Sequence, residues 1–534
     1  AQSVLQSLHA RPERGRSPQR SMLDAGFQEL LLRYDRVSGG FGPAPKFPLP
    51  HNLLFLLRYY RLKEEKKALE MVEKTLRSMA IGGICDQIGY GFHRYSTDAG
   101  WLVPHFEKML YDQALLVLAF TEAFQVTGDR FYERVARETL AYVDREMTSP
   151  EGAFFSAQDA DTAGEEGGYY LWTRAELEEA LDPDIFRVAA DAWHVTTAGN
   201  FLDPVIGERT GKNILHLTRT PDQLAARLKM TREELEAALV AARTTLAGIR
   251  REREPPLTDD KILTDWNGLM IAAYARASRA FSEPRYAEHA EAACRFLLDR
   301  LRAGDGSLLH RYRDGQAGIV GQATDYAFLI FGLSELFMAR SVPAHLAAAR
   351  DLGQIFHDRF WDTRYGGYFT TAAGQDDLVA RTVDLYDGAT PSANSVAFTN
   401  LMTLSLLTGD TGYEKRASEL GKLYSGPLSR SPAAYTFFLA GLSFVYGPAG
   451  EIVIVDGDDP AGQEMAAAVH QRYLPFTMVI RKTGKNREDL ARLAPFTDVM
   501  DAPEGKSTAY VCTRHTCLRP VTTVEELLAA VEKK

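Results

Sequence analysis

Residues 112–125, DQALLVLAFTEAFQ, and residues 325–340, DYAFLIFGLSELFMAR, are the stretches that decide the fold. Both place apolar residues around most of a helix, which is typical of a helix buried on every side. They alternate along the chain with amphipathic stretches such as ERVARETLAYVDREM at 133–147, whose single apolar face suits an outer layer. The alternation predicts hairpins made of one inner and one outer helix.

A glycine-rich turn followed by an apolar or aromatic residue recurs, mostly between these helices. Its copies lie at 39–41, 89–92, 152–155, 167–170, 305–308 and 366–369. A helical hairpin repeated about six times, with one helix of each pair more apolar, indicates a closed ring. The predicted fold is therefore mainly α, an (α/α)6 toroid. A single-stacked solenoid is the alternative, because both architectures bury a continuous core between neighbouring repeats.

The composition is that of an ordinary globular protein, with 534 residues, 45% hydrophobic and 25% charged. This amount of apolar material excludes a disordered chain. The 61 basic and 71 acidic side chains give a net charge of −10, which argues against a nucleic-acid partner. No run of 18 apolar residues is present, so we expect no membrane-spanning helix. Four scattered cysteines predict a reducing, cytoplasmic location.

The chain divides into three parts. Residues 1–20 are basic and polar, lack the apolar core of a secretory signal and are expected to form a linker or tail. The Ala at position 1 fits a processed chain or a piece of a longer one. Residues 21–446 carry the predicted toroid. Residues 447–534 begin with a Gly-Pro-Ala-Gly linker and alternate short apolar runs with helical segments, which predicts a small C-terminal α/β unit.

The segment richest in reactive side chains is 82–112, GGICDQIGYGFHRYSTDAGWLVPHFEKMLYD. Pro104 suits the first turn of a helix, on which His105 and Asp112 would share one face about 10 Å apart. We expect His105 to act as an acid/base, with Glu107 and Asp112 as catalytic partners. Each residue taken singly could instead cap a helix or pack in the core. The segment also supplies predicted substrate ligands, namely Asp86, His93, Arg94, Tyr95 and Trp101.

A second acidic cluster lies at FSAQDAD, 155–161, followed by Glu165 and Glu166. In an extended segment Asp159 and Asp161 point to the same side, and adjacent carboxylates split their pKa values, which suits acid/base work. Asp161 is a predicted catalytic residue and Asp159 a predicted substrate ligand. A hard-cation site and a solvated acidic loop are the alternatives. The cluster lacks EF-hand spacing, and neither a metal nor a cofactor is assigned.

Polar residues also precede three apolar helices. Capping of a helix explains each of them taken singly. In a toroid, however, the loops at one end converge on the central cavity, where carboxylates and aromatic rings together can hold a sugar ring. The predicted substrate ligands here are Asp265, Trp266 and Asn267 before GLMIAAYA, Asp325 before AFLIFGL, and Asp387 before VAFTNLMTL.

Cys512 and Cys517 flank His515 in CTRHTC. No second ligand pair is nearby for a zinc site, and the spacing is not the C-x-x-C of thioredoxin chemistry. Ordinary structural thiols are the expectation. Walker A, dinucleotide-binding and nucleophile-elbow motifs are absent from the sequence.

Several long motifs resemble one family over nearly the whole chain: GGFGPAPKFPLP, the 82–112 segment, FFSAQDADTAGEEGGYYLWT and DDKILTDWNGLMIAAYA. They are similar to a family of thioredoxin-domain-containing proteins, whose (α/α)6 body is similar to N-acylglucosamine 2-epimerases and six-hairpin glycosidases. The resemblance implies an N-terminal thioredoxin-like domain with no counterpart in this sequence, so that domain is at most a partner and lends this chain no redox activity. The family has no firmly assigned reaction, so the resemblance implies the fold rather than a mechanism.

These observations predict an enzyme that acts on a small molecule, a carbohydrate. An epimerase or isomerase would use a histidine beside a sugar C–H bond, whereas a glycosidase would use two carboxyl groups. Two alternatives stay open. One is a module whose cavity binds a ligand or protein without catalysis, and the other is a redox-linked protein that works with a thioredoxin-like domain.

Overall fold

The structure is a computed structural model that describes residues 15–162, 164–202, 207–374, 380–513 and 516–532. Every helix within these ranges is too short or too polar to cross a lipid bilayer. The helices of the main body are, in chain order, α1 (Ser21–Arg33), α2 (Pro50–Lys63), α3 (Lys66–Ile81), α4 (Leu110–Thr127), α5 (Arg130–Tyr142), α6 (Arg174–Ala180), α7 (Pro183–Ala192), α8 (Pro221–Leu228), α9 (Arg232–Arg250), α10 (Thr264–Phe281), α11 (Pro284–Arg300), α12 (Ala323–Arg340), α13 (Pro343–Phe360), α14 (Ala393–Thr408), α15 (Thr411–Arg430) and α16 (Thr436–Tyr446).

In the described part of the chain the most apolar helices form a closed inner ring, α2, α4, α10, α12, α14 and α16. Each packs against the next, and α16 returns to α2. Their burial is continuous, as in α4, where every residue from Leu110 to Ala123 is buried. The outer helices α1, α3, α5, α11, α13 and α15 pack against their inner partners. The fold is therefore the predicted (α/α)6 toroid, and the closure of the ring excludes a solenoid.

The two ends of the ring differ in the length of their connections. Two-residue turns at 64–65, 128–129, 282–283, 341–342 and 409–410 lead from an inner helix to the next outer one. The connections from outer to inner helices are longer and carry short strands. The inner helices therefore all begin at one end, which we call the N-terminal face. The opposite end, with the two-residue turns, is the C-terminal face.

The strands before α13 all lie in the loops of the N-terminal face. They form five small antiparallel sheets, whose members are paired as β1–β2, β3–β4–β9, β5–β6, β7–β8 and β10–β11–β12. Their bounds are β1 (Tyr95–Ser96), β2 (Pro104–His105), β3 (Lys108–Met109), β4 (Ala157–Gln158), β5 (Asp161–Thr162), β6 (Glu165–Glu166), β7 (Trp172–Thr173), β8 (Lys212–Asn213), β9 (Thr258–Asp259), β10 (Ile262–Leu263), β11 (Leu309–Arg313) and β12 (Gln316–Val320).

The longest connection, between α5 and α10, contains the additional helices α6–α9. They surround a separate hydrophobic cluster that includes Trp172, Leu177, Trp193 and Leu246. The sequence analysis did not distinguish these helices from the repeats, because their amphipathic pattern is that of an outer helix.

The C-terminal part is an α/β unit, as predicted. Its elements are β13 (Gly450–Val455), α17 (Ala461–His470), β14 (Thr477–Lys482), α18 (Arg487–Leu493), β15 (Thr508–Thr513), β16 (Thr516–Cys517) and α19 (Val524–Glu532). The strand order is β14-β13-β15-β16; β13 and β14 are parallel, and the other neighbours are antiparallel. The unit packs on the C-terminal face, where the Gln125 side chain donates to the carbonyl of His470 and Asn486 donates to that of Ser341.

The expectation of free thiols at Cys512 and Cys517 is wrong, because the two residues form a disulfide. The register of β15 with β16 places them directly opposite each other. His515, between them in the sequence, lies outside the described residues.

Candidate active site

Two inner helices approach each other closely enough for their first turns to meet. A Cβ atom on Gly268 of α10 would lie 2.5 Å from the carbonyl carbon of Phe328 in α12, and one on Gly332 would lie 2.5 Å from the oxygen of Gly268. Only hydrogen fits at these positions, so the two glycines set the distance between the helices. This packing brings Asp265 and Asp325 together at the N-terminal face.

Asp265, His310 and Asp325 form an acidic triad at this meeting point. The Asp325 carboxylate accepts from the backbone N–H of Asp265 at 3.1 Å and of Gln322 at 2.7 Å. Nδ1 of His310, on β11, lies 2.9 Å from the same carboxylate. Asp325 is wholly buried and Asp265 is 7% exposed. One ligand atom of each of the three residues lies within 4.8 Å of the others.

The triad has the electrostatics of an acid/base site. Burial and the neighbouring Asp325 carboxylate raise the pKa of Asp265 to about 7, because both oppose the charged form. The hydrogen bond to Asp325 raises the pKa of His310. Asp265 can therefore gain or lose a proton near neutral pH, whereas Asp325 fixes the orientation of the His310 ring.

Two carboxylates and an imidazole are also a donor set that a divalent cation accepts. The Asp325 oxygens, however, already accept from two backbone N–H groups and lie beside Nδ1 of His310. A cation would have to replace these bonds, which favours an acid/base triad over a metal centre.

A second cluster on the same face surrounds His105. Its Nδ1 donates to Glu166 at 2.7 Å, and its Nε2 lies 3.4 Å from Glu107. Glu107 also accepts from Arg94 at 2.9 Å, and the ring of Tyr95 stacks on the imidazole at 5.1 Å between centroids. The structure thus joins the 82–112 segment to the second acidic cluster, through a carboxylate that the sequence analysis did not select.

The expectation that His105 and Asp112 share one helix face is wrong. Pro104 and His105 form β2, which pairs with Tyr95 and Ser96, and α4 begins only at Leu110. Strand pairing with the nearby residues Tyr95 and Ser96 prevails here over the local preference of proline for a helix start.

Asp112 lies in the first turn of α4 and is buried. Its Oδ2 has no hydrogen-bond partner among the described residues. Burial raises the pKa of Asp112 well above its ordinary range, with Glu107 adding to the shift and Arg94 opposing it. Burial therefore favours the protonated form of Asp112.

An aromatic pair connects the two clusters. Tyr111, next to Asp112, lies near Arg94 and meets the ring of Trp266 edge-on at 4.9 Å between centroids. Trp266 directly follows Asp265 and is partly exposed. Acids, a guanidinium and aromatic rings therefore occur side by side on the N-terminal face.

Other predicted ligands have internal partners. Arg250 holds the Asp86 carboxylate through two bonds of 2.9 and 3.0 Å, and Lys108 donates to it at 2.9 Å. Burial alone would raise the pKa of Asp86, but the two cations hold it well below its ordinary range. His93 is buried against Phe106, whose carbonyl lies 2.9 Å from its Nδ1, and burial lowers its pKa to about 3. Both residues organise the loop rather than face the cluster.

Three further predicted ligands support the backbone. Trp101 is wholly buried and donates its indole N–H to the carbonyl of Ser38. Asn267 bonds both the N–H and the carbonyl of Phe154. Asp387 accepts from two N–H groups at the start of α16, whereas the cap of α14, the helix that follows Asp387 in the sequence, is Ser392.

Asp159 and Asp161 are exposed. Asp159 accepts from the backbone N–H groups of Ala160 and Asp161, which is the arrangement of a solvated acidic loop. Glu166, from the same loop, is the residue that reaches His105.

The sequence analysis missed His310 and Glu166. His310 stands alone in LLHRYR without a motif. His310 reaches the site because β11 pairs with β10, and β10 leads directly into α10. This pairing cannot be read from the sequence around His310. Glu166 follows the predicted residues Asp159 and Asp161 in the same loop. The sequence alone does not show that Glu166, rather than either aspartate, contacts His105.

The fold and site define a class of protein, an (α/α)6 toroid with an acidic, histidine-containing N-terminal face. No family model matches the chain. The chain is 36% identical to human spermatogenesis-associated protein 20 over 94% of its own length and 68% of the relative's. It is 30% identical to an uncharacterized protein of Caenorhabditis elegans, over 92% of this chain and 71% of that one. The chain belongs to the spermatogenesis-associated protein 20 family.

Solved structures with similarity to the chain include a D-mannose isomerase, with a TM-score of 0.48, 12% identity, and coverage of 76% of this chain and 85% of that one. An unsaturated glucuronyl hydrolase specific for heparin has a TM-score of 0.45 at 11% identity, covering 80% and 96%.

Proposed function

We propose that the N-terminal face is the active site of an enzyme that acts on a carbohydrate or a similar polyhydroxylated molecule by acid/base catalysis. The observation that carries this proposal is the triad of Asp265, His310 and Asp325. It combines a carboxyl group with a pKa of about 7 and an imidazole oriented by a buried carboxylate. A group that titrates near the working pH is the most efficient proton carrier.

Within this proposal Asp265 transfers the proton, and Asp325 acts as a positioning residue for His310. The His310 ring hydrogen-bonds Asp325 through Nδ1, which leaves Nε2 for the substrate. The ring can then stabilise an oxygen on which charge develops while Asp265 removes or supplies a proton.

The His105 cluster would bind hydroxyl groups of the substrate. Glu107 and Arg94 hold each other in place, so their remaining donors and acceptors keep fixed positions. Trp266 offers an aromatic ring for the apolar side of a sugar. Burial raises the pKa of Asp112 well above its ordinary range, and this residue is the candidate for a second proton donor. Asp161 has no role in this arrangement.

The test is incubation of the full chain with a pool of mono- and oligosaccharides in D₂O, followed by proton NMR. Loss of a ring C–H signal by deuterium uptake identifies an epimerase or isomerase, and new anomeric signals without exchange identify a glycosidase. Asp265→Asn should abolish either reaction. The matched control is Asp299→Asn, the same change at an exposed site on the outer helix α11, which should retain full activity.

Two results would contradict the proposal. One is an activity that survives in both Asp265→Asn and His310→Gln. The other is saturable binding of a sugar to the wild-type chain without any change in the sugar, which would establish a binding module instead.

A further inference from the structure

A cavity of about 80 Å³ lies at the C-terminal face, at the opposite end of the ring from the triad. Its walls are side chains of the six inner helices, and residues 469–479 of the α/β unit cover it. This volume accommodates several waters or one small ion. The two-residue turns leave no long loops here, so the polar groups of the cavity come from side chains of the inner helices and of the α/β unit.

Five charged side chains form a chain of ion pairs along this cavity, in the order Arg58, Glu122, Arg276, Glu335 and Arg279. The Arg58 guanidinium binds both oxygens of Glu122, at 2.7 and 3.0 Å. Arg276 bridges the two carboxylates, pairing with Glu122 and with Glu335. Arg279 pairs with the other side of Glu335.

The chain of ion pairs carries an excess of positive charge. Three guanidinium groups face two carboxylates, and Tyr473, which donates to Glu122 at 3.2 Å, is neutral because burial raises its pKa well above the ordinary value. His470 adds no further positive charge, since burial lowers its pKa to about 3. A buried charge without a counter-ion is costly, so one anion would complete the network.

Arg279 is the end of the network where an anion fits. Its Nε is buried and has no hydrogen-bond partner among the described residues. Its Nη1 faces only the sulfur of Met338, at 3.9 Å, which is a weak acceptor. The partial negative charge at the helix C-termini helps to hold this cation, but these two donors still lack an oxygen.

We propose that this cavity binds a small oxyanion, a carboxylate or a phosphate group, on Arg279. A guanidinium donor that lacks an oxygen acceptor binds such groups through charge-assisted hydrogen bonds. Phe331, Phe437 and Met478 form part of the remaining wall, which suits an organic group attached to the oxyanion. The bound anion would tie the α/β unit to the toroid, because both line the cavity. This site is independent of the proposed catalysis at the N-terminal face.

The test is calorimetric titration of the full chain with inorganic phosphate and, separately, with acetate, at constant ionic strength in chloride. We expect 1:1 binding of at least one probe. Arg279→Gln should weaken it at least tenfold, and Arg279→Lys, which keeps the charge but loses the planar set of donors, should weaken it less. Arg251→Gln, at an exposed site after α9, is the matched control and should bind as the wild type does. Preference for phosphate or for acetate identifies the class of oxyanion.

A second measurement does not depend on the variants. The probe that binds should raise the melting temperature of the wild-type chain above that in chloride of equal ionic strength. The proposal is overturned if neither probe binds or stabilises the wild type, or if a folded Arg279→Gln variant binds as tightly as the wild type does. In those cases the arginines serve only to hold the helix ends and the α/β unit.

Discussion

Replacement of Asp265 by Asn should stabilise the protein, and should do so more strongly as the pH rises. Asp265 is buried next to the Asp325 carboxylate, and its pKa is about 7 rather than the ordinary 3.8. Asn keeps an oxygen for the N–H of Trp266, which bonds Asp265 at 2.8 Å. It also places an N–H₂ where the carboxylic acid carries its proton, so the variant resembles the protonated form at every pH.

The magnitude follows from the pKa difference. Between pH 3.8 and about 7 the folded state keeps a proton that the unfolded chain has lost, so wild-type stability falls as the pH rises through this window. Each unit corresponds to about 1.4 kcal/mol. The full cost of ionising Asp265 is therefore about 4 kcal/mol above pH 7 and about 2 kcal/mol at pH 5. The variant should gain these amounts over the wild type.

The assay is urea unfolding of wild type and variant at pH 5 and pH 8, with Asp299→Asn as the control. We expect the stability difference to increase by about 2 kcal/mol between the two pH values for Asp265→Asn, and to stay within about 0.5 kcal/mol for the control. A difference that does not change with pH, or a variant less stable than the wild type at pH 8, would refute the assignment of a raised pKa. The stabilised variant should be inactive, as expected for a residue kept for catalysis at a cost in stability.

Three further changes test the structure around the sites. Gly268→Ala should lower stability by about 3 kcal/mol, because its Cβ meets the backbone of Phe328; thermal unfolding checks this. Arg250→Met should cost about 3 kcal/mol in urea unfolding, because it leaves Lys108 as the one cation beside the buried Asp86. Cys517→Ser, which opens a loop with a sequence separation of 5, should cost about 2 kcal/mol under non-reducing conditions, and this difference should vanish when a thiol reductant is added.

The ring of helices could be predicted because apolar and amphipathic helices alternate regularly along the sequence. A helix such as 112–125, apolar on every side, can only be an inner one, and hairpins repeated about six times favour a closed ring. The amphipathic helices α6–α9 carry the same local signal as outer helices. Only their separate cluster around Trp172 and Trp193 distinguishes them, and no local pattern reveals which apolar residues will meet.

The candidate site could be predicted in part. The acids before the inner helices were selected because the loops of a toroid converge, and Asp265 and Asp325 do meet. Asp387 lies instead at the start of a different helix, α16. His310 and Glu166 were missed because each joins its partner through strand or loop pairing over a long sequence separation. A lone histidine in a strand gives no such signal in the sequence.

The anion site proposed at the C-terminal face follows from a general rule about buried charged side chains. Motif reading concentrates on loops, and this face has only two-residue turns. The inner helices nevertheless carry charges in otherwise apolar surroundings, at Arg58, Glu122, Arg276 and Glu335. Such side chains are almost never fully buried unless they are paired. These four residues lie on four different inner helices, each in the second half of its helix. Their side chains are therefore expected to form ion pairs with one another at the C-terminal face. The fifth charged residue, Arg279, lies one turn after Arg276 on the same helix. Three arginines then share two carboxylates, and the donors without an oxygen acceptor belong to Arg279.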